Sequence, residues 1–379
     1  LLWMILSGVV SFFAQSPGVF EFSRGVGAVV FILIASAGWS ICRRVWGKGA
    51  NLPMYLFLVS SFGILGEYLC LRPDIFMALF VLLGIRLSLD IPGEKLFPSF
   101  CAGAAFAVAM SFITKQYLVC LLPVMLIVRE RHSRLFLLKF SSFGLGIIAG
   151  AFPLLWYLIS NHIFSEFVGW VLVFNSNLVV VSVLFPLAFV IIAAAGVAGL
   201  VNKYRRENDF SAWALLCAVI LSTVSALTGL VVMNGGYYLS TWFVLAACAG
   251  SCVPIWQIAG SRLSVKTRSV IAGLLAAGLI APNIISAIPH GYSSFKEDKD
   301  SIRKMMKYCK EERCFVLLPI HPVFSRDAVR LYSDWQFKFV SKFSSVKNDA
   351  KAVNIRQELQ SVRPAVILCK YRKKDFILE

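Results

Sequence analysis

The stretch EYLCLRPD, residues 67–74, is a polar interruption between two strongly apolar runs, 52–69 and 75–89. It carries an acid at each end, with a tyrosine, an arginine and a proline between them. The proline rules out one continuous helix, and the two residues before it are expected to be extended. Pro73 then lies in the first turn of the next helix, with Asp74 beside that helix's positive end. We predict a hairpin between two helices whose tip faces protein, water or a ligand.

The composition of the whole chain agrees with membrane helices on both sides of this hairpin. The 379 residues are 58% hydrophobic and 15% charged, with a mean hydropathy of +0.76, which is typical of an integral membrane protein. The net charge of +17 suggests nucleic acid as a partner. However, most Lys and Arg residues lie in loops between apolar runs or in the C-terminal part. We therefore predict the lipid bilayer, and no nucleic acid, as a partner.

The apolar runs predict a polytopic α-helical membrane protein with about ten transmembrane helices. A membrane-spanning helix needs roughly 20 apolar residues, and several runs approach this length. We expect helices at 25–43, 52–70, 74–89, 97–114, 117–129, 139–159, 178–201, 211–232, 239–258 and 269–288. Residues 1–13 form a shorter apolar run that predicts an interfacial or re-entrant helix, or the end of a truncated span.

The loops between these helices alternate in charge, which predicts their orientation. Lys and Arg are concentrated in every second loop, at 43–48, 86–95, 129–139, 203–206 and 262–268. Such loops face the cytoplasm. The hairpin at 67–74 then lies outside the cytoplasm, in a multi-pass protein of the inner (plasma) membrane.

The C-terminal part, residues 290–379, has the composition of a soluble domain. The runs at 314–318 and 365–369 predict short strands, and 354–362 predicts a helix. We predict a transmembrane domain at 25–289, followed by a small extracytoplasmic α/β domain. The four histidines form no cluster with the spacing of metal ligands, so no metal site is predicted.

Four segments, in this order, resemble the GT-C glycosyltransferases that use sugars linked to polyprenyl phosphate. The most similar branches are the protein O-mannosyltransferases and the aminoarabinose transferases of lipid A. The segments are 23–47, the hairpin 67–74, 103–116 and 237–246. The last of them has Ser240 where the family commonly has proline.

The resemblance implies inverting transfer of a sugar from a polyprenyl phosphate to a lipid, glycan or protein acceptor. Such a reaction needs a carboxylate that deprotonates the acceptor and cations or dipoles that hold the departing phosphate. The family's acid lies in the first extracytoplasmic loop, and residues 1–24 look like the remnant of that loop. The acid is therefore expected before Leu1, and no catalytic residue is assigned. No cofactor is expected, and a requirement for a divalent metal stays open.

Five residues are candidates for substrate binding. Arg72 and Lys115 are candidates for phosphate contact, although basic residues at helix ends also snorkel to the interface. Asp74 either orients Arg72 or touches the sugar, or it only benefits from the helix dipole. Tyr237 and Tyr238 either contact the sugar or belong to an aromatic belt at the membrane interface. The alternative function is a transporter or a flippase for lipid-linked sugars.

Overall fold

The computed structural model describes about half of the chain, mostly as α-helices. The described residues are 19–60, 73–112, 117–130, 134–162, 164–167, 187–230, 240–251, 264, 267, 270, 274, 313–316, 326–327 and 366–368. Beyond the first 22 residues, the chain divides into two compact units, Ser23–Ser286 and Ala287–Glu379.

The helices of the larger unit follow the apolar runs of the sequence. In chain order they are α1 Val19–Trp46, α2 Leu52–Ser60, α3 Pro73–Ser88, α4 Phe97–Phe112, α5 Leu121–Arg129, α6 Phe136–Ser160, α7 Phe164–Phe167, α8 Leu187–Glu207, α9 Phe210–Leu230 and α10 Ser240–Gly250. Each expected run from 25–43 to 239–258 overlaps one of these helices, although several helix ends differ from the expected bounds. The last expected helix, 269–288, lies almost wholly outside the described residues.

Two prolines position helix starts in the way their chemistry requires. Helix α3 begins at Pro73, as predicted, because the first turn of a helix does not need the backbone N–H that proline lacks. Pro123 lies in the first turn of α5, and a 3-10 turn, Tyr117–Cys120, precedes that helix. The run at 117–129 is therefore a turn followed by a helix.

Helix α6 has an apolar exterior that is suited to lipid. In the described part of the chain, two helices, Gly25–Gly49 and Phe136–Ser160, are long and apolar enough to cross a membrane. Most of α6 is open to the surroundings, and water does not favour a continuous apolar surface of this kind. The exposed side chains of α6 include Leu137, Leu138, Phe140, Leu145, Ile148, Phe152, Trp156 and Ile159.

The opposite side of α6 packs closely on α4 through glycines. A Cβ atom at Gly146 would overlap the backbone of Phe100, and one at Gly150 would overlap the backbone of Ala104. Gly103 on α4 meets the backbone of Phe143 in the same way. Small residues four apart let two helix backbones approach without the hydrophobic effect that drives packing in water. Helix α6 therefore packs on α4 through its glycine side and exposes an apolar side that is suited to lipid.

The smaller unit contains a parallel three-stranded sheet in the order β2-β1-β3. The strands are β1 Arg313–Val316, β2 Arg326–Asp327 and β3 Val366–Leu368. Strands β1 and β3 pair with Cys314 opposite Val366, and they lie on the two runs that predicted strands. The helix expected at 354–362 lies outside the described residues. The bounds of the α/β domain, 290–379, stay a prediction.

Candidate functional site

The basic loops of the larger unit meet at one end of the helix bundle, which we call the basic end. Asp90, after α3, forms an ion pair with Arg44 of α1 at 3.3 Å and with Arg86 of α3 at 2.6 Å. The backbone N–H of Asn51 donates to the carbonyl of Ser251, just after α10, at 3.1 Å. Three loops that are distant in sequence are thus joined by direct contacts.

Arg129, the last residue of α5, links the turn between α8 and α9 to the basic end. Its guanidinium carbon lies 4.6 Å from the ring centre of Trp213, 5.4 Å from that of Phe210 and 5.5 Å from that of Tyr204. These rings belong to the end of α8 and the start of α9. A cation over aromatic faces is attracted by their negative quadrupole. The aromatic rings therefore hold α5 against the α8–α9 turn.

These contacts bear on the predicted orientation of the helices. Four of the five loops grouped by their Lys and Arg content have described residues at the basic end, namely 43–48, 86–95, 129–139 and 203–206. The loops that are rich in Lys and Arg, which alternate along the chain with less basic loops, thus lie at the same end of the helix bundle. That this end faces the cytoplasm stays a prediction.

Helices α1, α3 and α10 begin at the end of the bundle that lies opposite to the basic end. Arg86, late in α3, donates from Nε to Ser40 Oγ, late in α1, at 2.8 Å. Trp46, at the end of α1, donates from Nε1 to the carbonyl of Cys248, near the end of α10, at 2.9 Å. Because late residues of α1 contact late residues of both α3 and α10, the three helices run in the same direction. Their starts lie away from the basic end.

The end of α4 lies beside the start of α3. Phe112, the last residue of α4, stacks on Phe76 with ring centres 5.3 Å apart and on Phe80 with ring centres 6.0 Å apart. Helices α3 and α4 are therefore antiparallel neighbours. We call this region, with the start of α3, the end of α4 and the start of α10, the Asp74 end.

Asp74 is the predicted site residue whose side chain the structure describes. It is the second residue of α3, and only 3% of its surface is exposed. Its neighbours Ile75, Met77 and Ala78 are also buried. A carboxylate at this position interacts favourably with the positive end of the helix dipole. Burial of a polar carboxyl group among apolar side chains is costly unless it has such compensation.

The other four predicted site residues, Arg72, Lys115, Tyr237 and Tyr238, lie outside the described residues. Arg72 directly precedes α3, Lys115 follows α4 by three positions, and the two tyrosines come just before α10. The structure thus brings together the helix ends next to which these residues lie in sequence.

Sequence reasoning missed a second polar site, at the basic end. Lys139, in α6, is only 2% exposed, and its ammonium forms an ion pair with Glu130, just after α5. Together with Arg129 and Glu94 they line a cavity. A signal was present, because Lys139 lies inside an apolar run where an unpaired charge is unfavourable. That signal does not identify the partner.

The described residues contain no group of three or more His, Cys, Asp or Glu side chains arranged to hold a metal ion. The fold and the two polar ends define a mostly α-helical protein with helices suited to a membrane.

No family model matches the chain, and no curated protein matches it. One similar solved structure is the apo crystal structure of the Archaeoglobus fulgidus oligosaccharyltransferase, with 12% sequence identity and a TM-score of 0.42. The match covers 75% of this chain and 46% of the archaeal protein, so the chain spans less than half of that protein's length.

Proposed function

We propose that this protein is a multi-pass glycosyltransferase of the inner (plasma) membrane. It transfers a sugar from a polyprenyl phosphate to a lipid, glycan or protein acceptor at the extracytoplasmic face. The exposed apolar side of α6 supports the membrane placement. The resemblance of four sequence segments to the GT-C glycosyltransferases supports the reaction.

One observation carries the proposal: the helix ends that flank the predicted site residues lie at one end of the bundle. The start of α3 lies beside the end of α4, and α10 begins on the same side. Segments from three parts of the sequence thereby lead into one region. Separation of these helix ends would have excluded a common site.

The chemistry of this region fits a lipid phosphate whose charge grows as the sugar departs. In the proposal, Arg72 and Lys115 supply the cations that stabilise this phosphate. Asp74 orients Arg72 or accepts a hydrogen bond from the sugar, and Tyr237 and Tyr238 contact the sugar ring. The donor's hydrocarbon tail stays in the membrane beside the helices. The acid that deprotonates the acceptor is assigned to no described residue.

The experiment compares Arg72→Ala with Arg43→Ala in membranes that contain the protein. Sugar transfer from a radiolabelled polyprenyl-phosphate donor is measured for both. Arg72→Ala is expected to lower the rate by about 100-fold, because a preorganised phosphate contact is lost. Arg43 is exposed at the basic end, so its variant should match the unaltered protein.

Equal rates for both variants and the unaltered protein would remove Arg72 from the site. Movement of the lipid-linked sugar across proteoliposomes without any covalent transfer would contradict the proposal as a whole. That result would instead support the transporter or flippase.

A further inference from the structure

A cavity of about 420 Å³ opens at the basic end, away from the Asp74 end. Its walls come from three segments: the connection between α3 and α4, the end of α5 and the start of α6. The lining residues are Pro92, Gly93, Glu94, Arg129, Glu130, Leu135 and Lys139. The proposed sugar transfer uses none of them.

The charges in this cavity are balanced but not all paired. Lys139 and Glu130 form an ion pair with each other. Arg129 lies over three aromatic rings and has no acidic partner within the described residues, and Glu94 is exposed without a basic partner there. The cavity therefore offers one guanidinium and one carboxylate to a ligand. A ligand that carries both a negative and a positive group complements them.

Exposed apolar side chains lie close in sequence to the lining residues of each wall of the cavity. Phe97, three positions after Glu94, is 70% exposed, and Leu138, beside Lys139, is 52% exposed. Val128, next to Arg129, is also exposed. A wholly water-soluble zwitterion gains nothing from exposed apolar side chains in these segments. A lipid gains from them, because its acyl chains favour apolar contact while its headgroup enters the polar cavity.

We propose that this cavity binds a phospholipid whose headgroup combines a phosphate diester with a primary ammonium, such as phosphatidylethanolamine. The phosphate faces Arg129, and the ammonium donates hydrogen bonds to Glu94. A choline headgroup has no N–H to donate, and an anionic glycerol headgroup brings no cation to Glu94. The inference rests on the membrane placement in the proposed function and not on sugar transfer.

The experiment is native mass spectrometry of the purified full chain with an equimolar mixture of ethanolamine, choline and glycerol phospholipids. The ethanolamine lipid should be retained about tenfold over the choline lipid, as expected for one hydrogen-bonded ion pair. Glu94→Gln should abolish this preference. Glu207→Gln, which changes another exposed acid of the larger unit, should leave it unchanged. Circular dichroism melting of each variant checks its folding.

A second variant tests the direction of the charge. Glu94→Lys should transfer the preference to the anionic glycerol lipid, because the cavity would then present an added cation. Equal retention of ethanolamine and choline lipids by the unaltered protein would overturn the proposal, as would a preference that Glu94→Gln leaves intact.

A competition arm separates the lipid from its free headgroup. Soluble glycerophosphoethanolamine should displace the bound lipid only weakly, and displacement as effective as that by the lipid itself would overturn the lipid assignment. Because the assay detects binding alone, retained lipid in a protein without transferase activity would contradict the proposed function and leave this inference standing.

Discussion

The two ends of the helical unit accommodate charge in different ways. At the basic end, charged groups neutralise one another across the loops, as in the pairs of Asp90 with Arg44 and of Lys139 with Glu130. At the Asp74 end, Asp74 is the one charged residue among those described at the start of α3, the end of α4 and the start of α10. The basic end is thus organised as a network of ion pairs between loops. The Asp74 end buries a single carboxylate at the start of α3, where the positive end of the helix dipole stabilises it.

The largest expected effect of breaking the network comes from Glu130→Ala. This change leaves the ammonium of Lys139 buried without its partner, which costs roughly 3–5 kcal/mol of unfolding free energy. The free energy is measured by denaturation in detergent micelles, followed by circular dichroism. Glu207→Ala, at an exposed pair with Lys203, should cost less than about 1 kcal/mol.

A double variant sharpens this prediction. Glu130→Leu combined with Lys139→Met removes both charges and should recover most of the lost stability, because paired apolar residues replace a buried ion pair at little cost. If Glu130→Ala and Glu207→Ala prove equally mild, the pair does not support the basic end.

At the Asp74 end, Asp74→Asn keeps the shape of the side chain and removes its charge. Loss of the interaction with the helix dipole should cost about 0.3–2 kcal/mol of unfolding free energy. If Asp74 also serves the site, sugar transfer should fall at least tenfold at a temperature where the variant is fully folded. Transfer at the unaltered rate, together with lower stability, would make Asp74 a structural residue alone.

The smallest effect concerns pH at the basic end. Burial by itself lowers the pKa of Lys203, but its hydrogen bonds to Glu207 and Asp209 and their negative charges together raise the pKa by more than burial lowers it, so that the pKa lies above the usual value. A raised pKa in the folded state stabilises the protein below the ordinary lysine pKa of about 10.4. This contribution is lost as the pH rises through the folded-state pKa.

Thermal melting of the unaltered protein and of Lys203→Met should therefore differ most below about pH 10 and converge above it. The difference should be within about 1 kcal/mol, as for other surface ion pairs. A gap between the two melting curves that widens at alkaline pH would contradict this assignment.

The sequence allowed much of the helical structure to be predicted, because apolar run length and proline chemistry are local properties. The start of α3 at Pro73 is confirmed. The first helix begins at Val19 and not at residue 25, since hydropathy does not mark a helix start that lies among polar residues. Strand β2 has only two residues, too few for any alternating pattern.

The polar site at the basic end was less predictable. Lys139 was predicted to lie where a basic loop ends and the helix 139–159 begins, and α6 in fact begins three residues earlier, at Phe136. A lysine in the first turn of a helix is unfavourable for the helix dipole, so a local rule argues against this placement. Glu130, just after α5, compensates the charge, and only the placement of the end of α5 beside the start of α6 brings the two side chains together.

Hydropathy and the sign of each loop follow from the chain alone, because each depends on residues that are neighbours in sequence. They determined where the helices lie and which loops belong together. The tertiary structure decided which groups meet, as when Trp46 donates to the carbonyl of Cys248, 202 positions away. It also decided that Asp74 is buried and that Glu94 and Arg129 line one cavity. Such contacts arise from the packing of distant segments, for which no local pattern in the sequence carries a signal.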